Sequence, residues 1–406
     1  MNITWEIIDN GTGSWEKIMS FSATGEAPEV IEEFKIPSVV ERNQILGISE
    51  TMRASFQSLW VKGVKEIKKL IVEDGIEYVD PWAFSQIPIK IDEFYWPSTC
   101  TTIPHSCFYS SAICGIKGID NVSTIEPFAF GNSKIVKIVW PAKCYTIPKG
   151  CFFDSNLKEI TGIENLEEIK ECAFSLTDIE TLVWPQKCKV IPKKCFKNCT
   201  QLEKISGIDK VIKIEEEAFA TTFLRSFDWP AKCSHIPEGC FYETPINEIS
   251  NIAHIVKIGS GAFAKTLITK FIWPQKCKRI PNYCFFGTPL KEIQGIEKVE
   301  GIGTNAFEDT LLQTFIWPLG VKVPKVVDCF FFLNNCKKLR RITFAENPGI
   351  LEVNLNFLSS LNKVEVIDLS KVAVVNFINT NSKVETSILY EKVKNKLRLP
   401  YYVAGI

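Results

Sequence analysis

Apolar residues return to the same places along this chain roughly every 22 positions. Phenylalanines mark the beat at Phe84, Phe108, Phe130, Phe152, Phe174, Phe196, Phe219, Phe241, Phe263, Phe285, Phe307 and Phe330. After a first step of 24, every step is 22 or 23 residues. One unit, LKEITGIENLEEIKECAFSLT over 157–177, carries apolar Leu157, Ile160, Ile163, Leu166, Ile169, Ala173 and Phe174. The next supplies Ile179, Leu182, Trp184, Cys188, Ile191, Cys195 and Phe196. The opening apolar-x-x-apolar-x predicts a short strand, in which alternate side chains face opposite sides. A proline or a glycine turn then stops it. The remainder is too short for a full helix and predicts an irregular or one-turn segment. Such a coil cannot bury its apolar face alone, so each must stack on its neighbours.

The coils are written in two alternating dialects. One reads Trp-Pro, Ile-Pro (once Val-Pro), Cys-Phe, with tryptophans at Trp96, Trp140, Trp184, Trp229, Trp273 and Trp317. The other places Gly118, Gly162 or Gly207 where the tryptophan stood and ends in Ala-Phe. A large ring needs space, so the alternation predicts that each glycine leaves room for the neighbouring indole. Asn251 breaks the glycine column and is expected to be an irregularity. Three residues after phenylalanine runs a column of small residues, Ser111, Ser133, Ser155, Thr177, Cys199, Thr222, Thr244, Thr266, Thr288 and Thr310. Its hydroxyls are expected to bond backbone where the chain turns into the next strand.

The motif L-x-x-I-x-W-P-x-x-C-x-x-I-P-x-x-C-F, alternating with L-x-x-I-x-G-I-x-x-L-x-x-I-x-x-x-A-F, resembles the BspA-like class of leucine-rich repeats over about Ile45 to Cys336. The resemblance implies a repeat solenoid, a leucine-rich-repeat horseshoe. It would be mainly β, with short strands on the concave side and irregular or one-turn helical convex segments. It further implies adhesion or recognition of proteins at a cell surface. Residues 1–44 read as an N-terminal cap with a β-hairpin turning at Asn10-Gly11-Thr12-Gly13. Residues 45–377 read as the solenoid, degenerate after 331, with Phe357 and Phe377 marking loose coils. Residues 378–406 read as a C-terminal cap, with a short amphipathic helix stopped before Pro400.

Composition narrows the function. Forty-seven basic and 47 acidic side chains cancel, which argues against a nucleic-acid partner or an anionic membrane surface. No apolar run approaches eighteen residues, so no membrane insertion is expected. The start, Met1-Asn2-Ile3-Thr4-Trp5, does not read as a signal peptide. Localisation is thus pulled two ways, to the cell surface by resemblance and to the cytoplasm by the missing signal and by the cysteines.

Of the fifteen cysteines, five pairs sit seven apart: Cys100/Cys107, Cys144/Cys151, Cys188/Cys195, Cys233/Cys240 and Cys277/Cys284. Zinc knuckles need closer spacing, and His105, His235 and His254 form no spaced set. A disulfide ladder would suit an exported protein, but the count is odd. In the other dialect the same columns hold Val122, Leu166, Val211, Ile255 or Val299, and Ala129, Ala173, Ala218, Ala262 or Ala306. Cysteine therefore reads as a small buried hydrophobe in a reducing setting. Gly259-Ser260-Gly261 and Gly301-Ile302-Gly303 lack the third glycine of a phosphate loop. The sequons at Asn2, Asn10, Asn121 and Asn198 matter only after export. No nucleophile–base or metal constellation emerges, so an enzyme, a cofactor and a small-molecule substrate are not expected.

What remains is surface. Strand residues between the core positions should line the concave side. The column just before Trp/Gly holds Tyr95, Lys117, Val139, Val183, Asp228, Ile272 and Ile316. The column two residues earlier holds Glu93, Lys137, Glu159, Lys204, Lys270 and Glu292. These thirteen residues are the candidate protein-binding surface, because apolar spots among balanced charges mark protein interfaces. The plainer reading is that β-branched residues suit strands. An intracellular scaffold with reduced, buried cysteines is the alternative function.

Overall fold

The computed structural model describes residues 1–9, 16–41, 43–322, 331–333, 335–355, 358, 363–378, 386–400 and 402–404. Asn10–Gly13, the Val323-Pro324 pair, Cys329, Phe330 and Phe357 lie outside the described residues. The chain divides into two compact units, Met1–Val211 and Ile212–Ile406, each a stack of solenoid coils.

Unit one opens with an antiparallel hairpin, Asn2–Asp9 against Glu16–Thr24, in register from Asn2↔Thr24 to Asp9↔Glu16. Within the span read as coils, Met52–Val61 is an α-helix that buries Met52, Ser55, Phe56 and Leu59. Phe56 meets Phe21, Phe34 and Phe84 with ring centroids 5.2, 5.6 and 6.4 Å apart. These rings cover the end of the coil core, as a solenoid terminus requires. The strands Val30–Ile36, Glu66–Val72, Lys90–Tyr95 and Ile116–Lys117 then form one parallel sheet.

From there the coils repeat. Their apolar columns are buried as the period requires: all seven named residues of the Leu157 coil and all seven of the Ile179 coil are in the core. The phenylalanines stack as a ladder. Phe108, Phe130, Phe152, Phe174 and Phe196 follow at centroid steps of 5.6, 5.6, 5.9 and 5.5 Å, with planes within 9°. In unit two Phe219, Phe241, Phe263, Phe285 and Phe307 step by 5.8, 6.3, 5.5 and 5.7 Å. Each ring excludes water from the next, and backbone supports the stack. Phe108, Phe130 and Phe152 donate their N–H to Ala129, Cys151 and Ala173 of the following coil at 2.8–3.0 Å.

The corner around each phenylalanine uses left-handed residues two before and two after it. Ser106 and Ser110 flank Phe108, and Cys172 and Leu176 flank Phe174, all with φ between 52° and 61°. Residues of many kinds hold this costly conformation because the inter-coil bonds fix it. The small column behaves as expected. Ser111, Ser133, Thr177, Thr222, Thr244, Thr266, Thr288 and Thr310 each donate to the carbonyl of their own phenylalanine at 2.8–3.0 Å. Ser155 is the exception: its Oγ is buried without a partner.

The coil holds a second short strand that apolar spacing did not reveal. It falls on a two-residue step ending in isoleucine before the phenylalanine turn, as in Thr146–Ile147 paired to Glu168–Ile169. Two residues are too few to show period-two alternation. Unit two ends in wider sheets. One joins Thr314–Trp317, Arg341–Phe344, Val366–Asp368 and Leu397–Arg398; the other joins Asn347–Asn354, Val372–Ile378 and Tyr402–Ala404. The helix Thr386–Val393 overlaps the start of the stretch 388–400 read as amphipathic, but it ends at Val393 and not at Pro400: a 3-10 turn, Lys394–Lys396, and the strand Leu397–Arg398 follow.

The glycine column has a different cause from the one expected. Gly118, Gly162, Gly207 and Gly295 all have φ between +74° and +79°. A Cβ on Gly162 would lie 2.9 Å from the Trp140 carbonyl oxygen, not against its ring. The indole instead lies in its own coil, with Nε1 donating to Cys144 O at 2.9 Å and Phe152 5.9 Å away. Asn251 is no irregularity. It takes the same left-handed turn at φ 58° and its Nδ2 donates to Trp229 O at 2.7 Å.

Candidate functional site

The thirteen candidate residues all lie on one strand face of their own unit. Lys117, Lys137, Val139, Glu159, Val183 and Lys204 are exposed in unit one, where Glu93 and Tyr95 are half-buried. Asp228, Lys270 and Ile272 are exposed in unit two, where Glu292 and Ile316 are half-buried. Val139 and Val183 are each 68% exposed and Ile272 is 69% exposed, and all three fall in one column of the repeat.

Register shows which of them meet. Lys137–Val139 pairs in parallel with Glu159–Thr161, and Thr181–Val183 pairs with Lys204–Ser206. Ser226–Asp228 pairs with Glu248–Ser250, and Lys270–Ile272 pairs with Glu292–Gln294. Each pair joins a tryptophan coil to the glycine or asparagine coil that follows it. The ion pairs Lys137–Glu159 at 2.6 Å and Lys270–Glu292 at 3.4 Å occupy the same two columns in the two units. Such exposed pairs contribute about 0–1 kcal/mol each, so they set local charge more than stability.

Between one coil pair and the next, the strand ladder stops. The sheets of this face are two-stranded through the regular coils: no ladder links Ile116–Lys117 to Lys137–Val139, or Glu248–Ser250 to Lys270–Ile272. A single bond closes the start of each seam, Val136 N to Cys114 O at 3.3 Å and Leu267 N to Ile246 O at 3.0 Å. Beyond it the lips part. Trp140 N donates to Thr161 O, and Trp273 N to Gln294 O, so these strands spend their tryptophan-side groups on the coil ahead. Alternation along a parallel strand then turns the backbone of Lys137 and Val139, or Lys270 and Ile272, into the seam. Ile116 and Ile249 face them from the opposite lips.

Both seams hold clefts. The unit-two cleft has a volume of about 570 Å³, with Ile249, Ile252 and Phe271 in its floor and Glu248, Lys270 and Glu292 around it. The unit-one cleft has a volume of about 580 Å³, with Ile116 and Ile138 in its floor and Val139 at its lip. The two use the same columns of the repeat. Sequence reasoning found the lip residues but missed the seam, because a break in pairing leaves no signature in apolar spacing.

Local charges are already balanced by neighbours. The Tyr95 hydroxyl donates to Glu93 at 2.7 Å, and this bond raises its pKa. Glu292 accepts from the Gln294 amide at 2.5 Å, which together with Lys270 lowers its pKa. Lys90 bonds Asp92 at 2.7 Å and Glu66 at 2.6 Å, which raises the lysine and lowers Asp92, while Glu66 is lowered by Lys68 at 2.7 Å first and by Lys90 second. Among the described residues no group of three or more His, Cys, Asp or Glu could hold a metal ion. No described helix is long and apolar enough to cross a membrane. The fourteen described cysteines are free thiols, twelve buried and two, Cys114 and Cys172, half-buried. Burial pushes the core thiols up, Cys188 and Cys277 to about 12 and Cys233 to about 11, so they are poor nucleophiles.

Comparison with known proteins agrees with this architecture. The family model of the BspA type leucine-rich repeat region (6 copies) matches residues 54–156, 123–248, 212–334 and 256–391. A leucine-rich repeat protein from Bacteroides ovatus is similar in structure, with a TM-score of 0.68 at 17% identity, over 100% of this chain and 98% of that one. A leucine rich cell surface protein from Faecalibacterium prausnitzii is similar with a TM-score of 0.51 at 16% identity, over 97% of both chains. No curated protein matches the chain. Leucine-rich repeat proteins are generally non-enzymatic modules of protein–protein interaction. This chain belongs to the BspA-type leucine-rich repeat family.

Proposed function

We propose that this protein is a recognition module of the surface-antigen or adhesin kind and that it binds a protein partner through its strand face. The observation that supports this most is the outward column Val139, Val183 and Ile272. Three large apolar side chains stand in solvent, each beside the Lys/Glu column. An apolar centre with a charged rim is the anatomy of a protein interface. The Faecalibacterium relative carries the description of a cell surface protein, which supports the surface reading. The test is Val183→Asp together with Ile272→Asp. Both positions are exposed, so circular dichroism and the melt should match wild type while capture of a partner in pull-down is abolished. Unchanged capture would remove the strand face from consideration.

One observation favours an intracellular scaffold instead. The fourteen free thiols suit a reducing compartment. Immunofluorescence of the native full-length protein separates the two. Signal on intact cells supports the surface reading; signal only after permeabilisation supports the scaffold.

A further inference from the structure

Resting on that reading of the strand face, we propose that the seams between coil pairs bind an extended peptide segment of the partner. The open strand edge of one lip holds its backbone, an apolar residue covers the cleft floor, and a basic residue sits against the rim.

Three observations converge on this occupant. First, the clefts recur in the same repeat columns of both units, so they follow from the two-coil dialect and not from a local accident. Second, the lips are unjoined strand edges. Ile249 faces Lys270 and Ile272 in one seam, and Ile116 faces Lys137 and Val139 in the other, with no ladder between them. Strand edges with free N–H and C=O groups are templates for an added chain. Third, the rims keep an acidic excess after their ion pairs are counted. In unit two Lys270 is paired with Glu292, which leaves Glu248. In unit one Lys137 is paired with Glu159 and Lys90 with Asp92, which leaves Glu93 and Asp120 against Lys117. Apolar floors with acidic rims select a peptide that mixes apolar and basic side chains.

The probe is a random dodecapeptide library displayed on phage and selected on the full chain. The most enriched sequence is then made as a fluorescein-labelled peptide and titrated by anisotropy. Enriched sequences should alternate apolar residues with at least one Lys or Arg. N-methylation of alternate peptide residues in one phase should weaken binding at least about tenfold, and in the other phase should change it little, because alternate groups of a strand face opposite ways. The triple variant Val139→Asp, Val183→Asp, Ile272→Asp, folded by circular dichroism, should also bind at least about tenfold more weakly. Binding lost in the triple variant but indifferent to N-methylation in either phase overturns edge pairing and leaves the strand-face reading standing. Binding untouched by the triple variant overturns both. No enrichment overturns the peptide inference alone, since the pull-down tests the strand face by itself.

Discussion

Gly162→Ala isolates the feature that ties one coil to the next. Gly162 sits at φ +76°, where an L side chain costs about 1–2 kcal/mol. The new Cβ would also lie 2.9 Å from Trp140 O and 3.5 Å from Trp140 N. Relief needs the strand pair Lys137–Val139 and Glu159–Thr161 to move apart, weakening the Trp140 N–Thr161 O bond of 2.8 Å. One such bond is worth about 1 kcal/mol, so the total is about 2–3 kcal/mol. Gly162→Asn is the control. Asn251 shows that asparagine can hold this turn and bond the tryptophan carbonyl, so the loss should stay below about 1 kcal/mol. Urea unfolding followed by tryptophan fluorescence and circular dichroism gives both values, with matching m-values as the check on two-state behaviour. Alanine costing less than about 0.5 kcal/mol, or asparagine costing as much as alanine, would refute the carbonyl-contact explanation.

Phe174→Ala should lose about 3–5 kcal/mol by the same assay, since the ring is stacked by Phe152 at 5.9 Å and Phe196 at 5.5 Å. Thr221 is β-branched and left-handed at φ 57°, so Thr221→Gly should stabilise by about 0.5–1 kcal/mol after glycine's entropy cost, read as a raised melting temperature. In the native protein a thiol reagent should label Cys114 and Cys172 well ahead of the buried cysteines, and in denaturant without reductant at least about thirteen thiols should react. Stability should fall as pH rises above 9. The unfolded thiols ionise near that value, while Cys188, Cys233 and Cys277 keep their protons to about 11–12, so the unfolded state then binds fewer protons. A flat stability curve from pH 8 to 10.5 would show that these thiols are not buried.

The core of this fold was legible because every coil repeats the same demand. A phenylalanine that recurs at 22 residues with Leu or Ile at fixed offsets has one way to be dry, and Phe108 through Phe196 adopt it. The hydroxyl of Thr177 was legible for the same reason, since a small polar residue next to a turn has a nearby carbonyl to bond. The glycines were located correctly and explained wrongly. Composition shows that Gly162 lacks a side chain, but both bulk and backbone angle can demand that, and only φ separates them. Asn251 held the clue, because asparagine replaces glycine where a left-handed turn is required and would not make room for a ring. The outward columns were legible by strand alternation, down to Val139 and Ile272. The seams were not. Whether Ile249 pairs with the strand ahead depends on how two coils tilt, and no residue type encodes that tilt alone.

Central to this account is the coil pair, with its strand ladder closed inside the pair and open at the seam. Hydrogen exchange at single-amide resolution reads that directly. The amides of Trp140, Glu159, Trp273 and Glu292 should be protected, while those of Ile116, Lys137, Val139, Ile249, Lys270 and Ile272 should exchange on the order of a hundredfold faster. Uniform protection across both sets would mean that the ladder runs unbroken and that the seams do not exist.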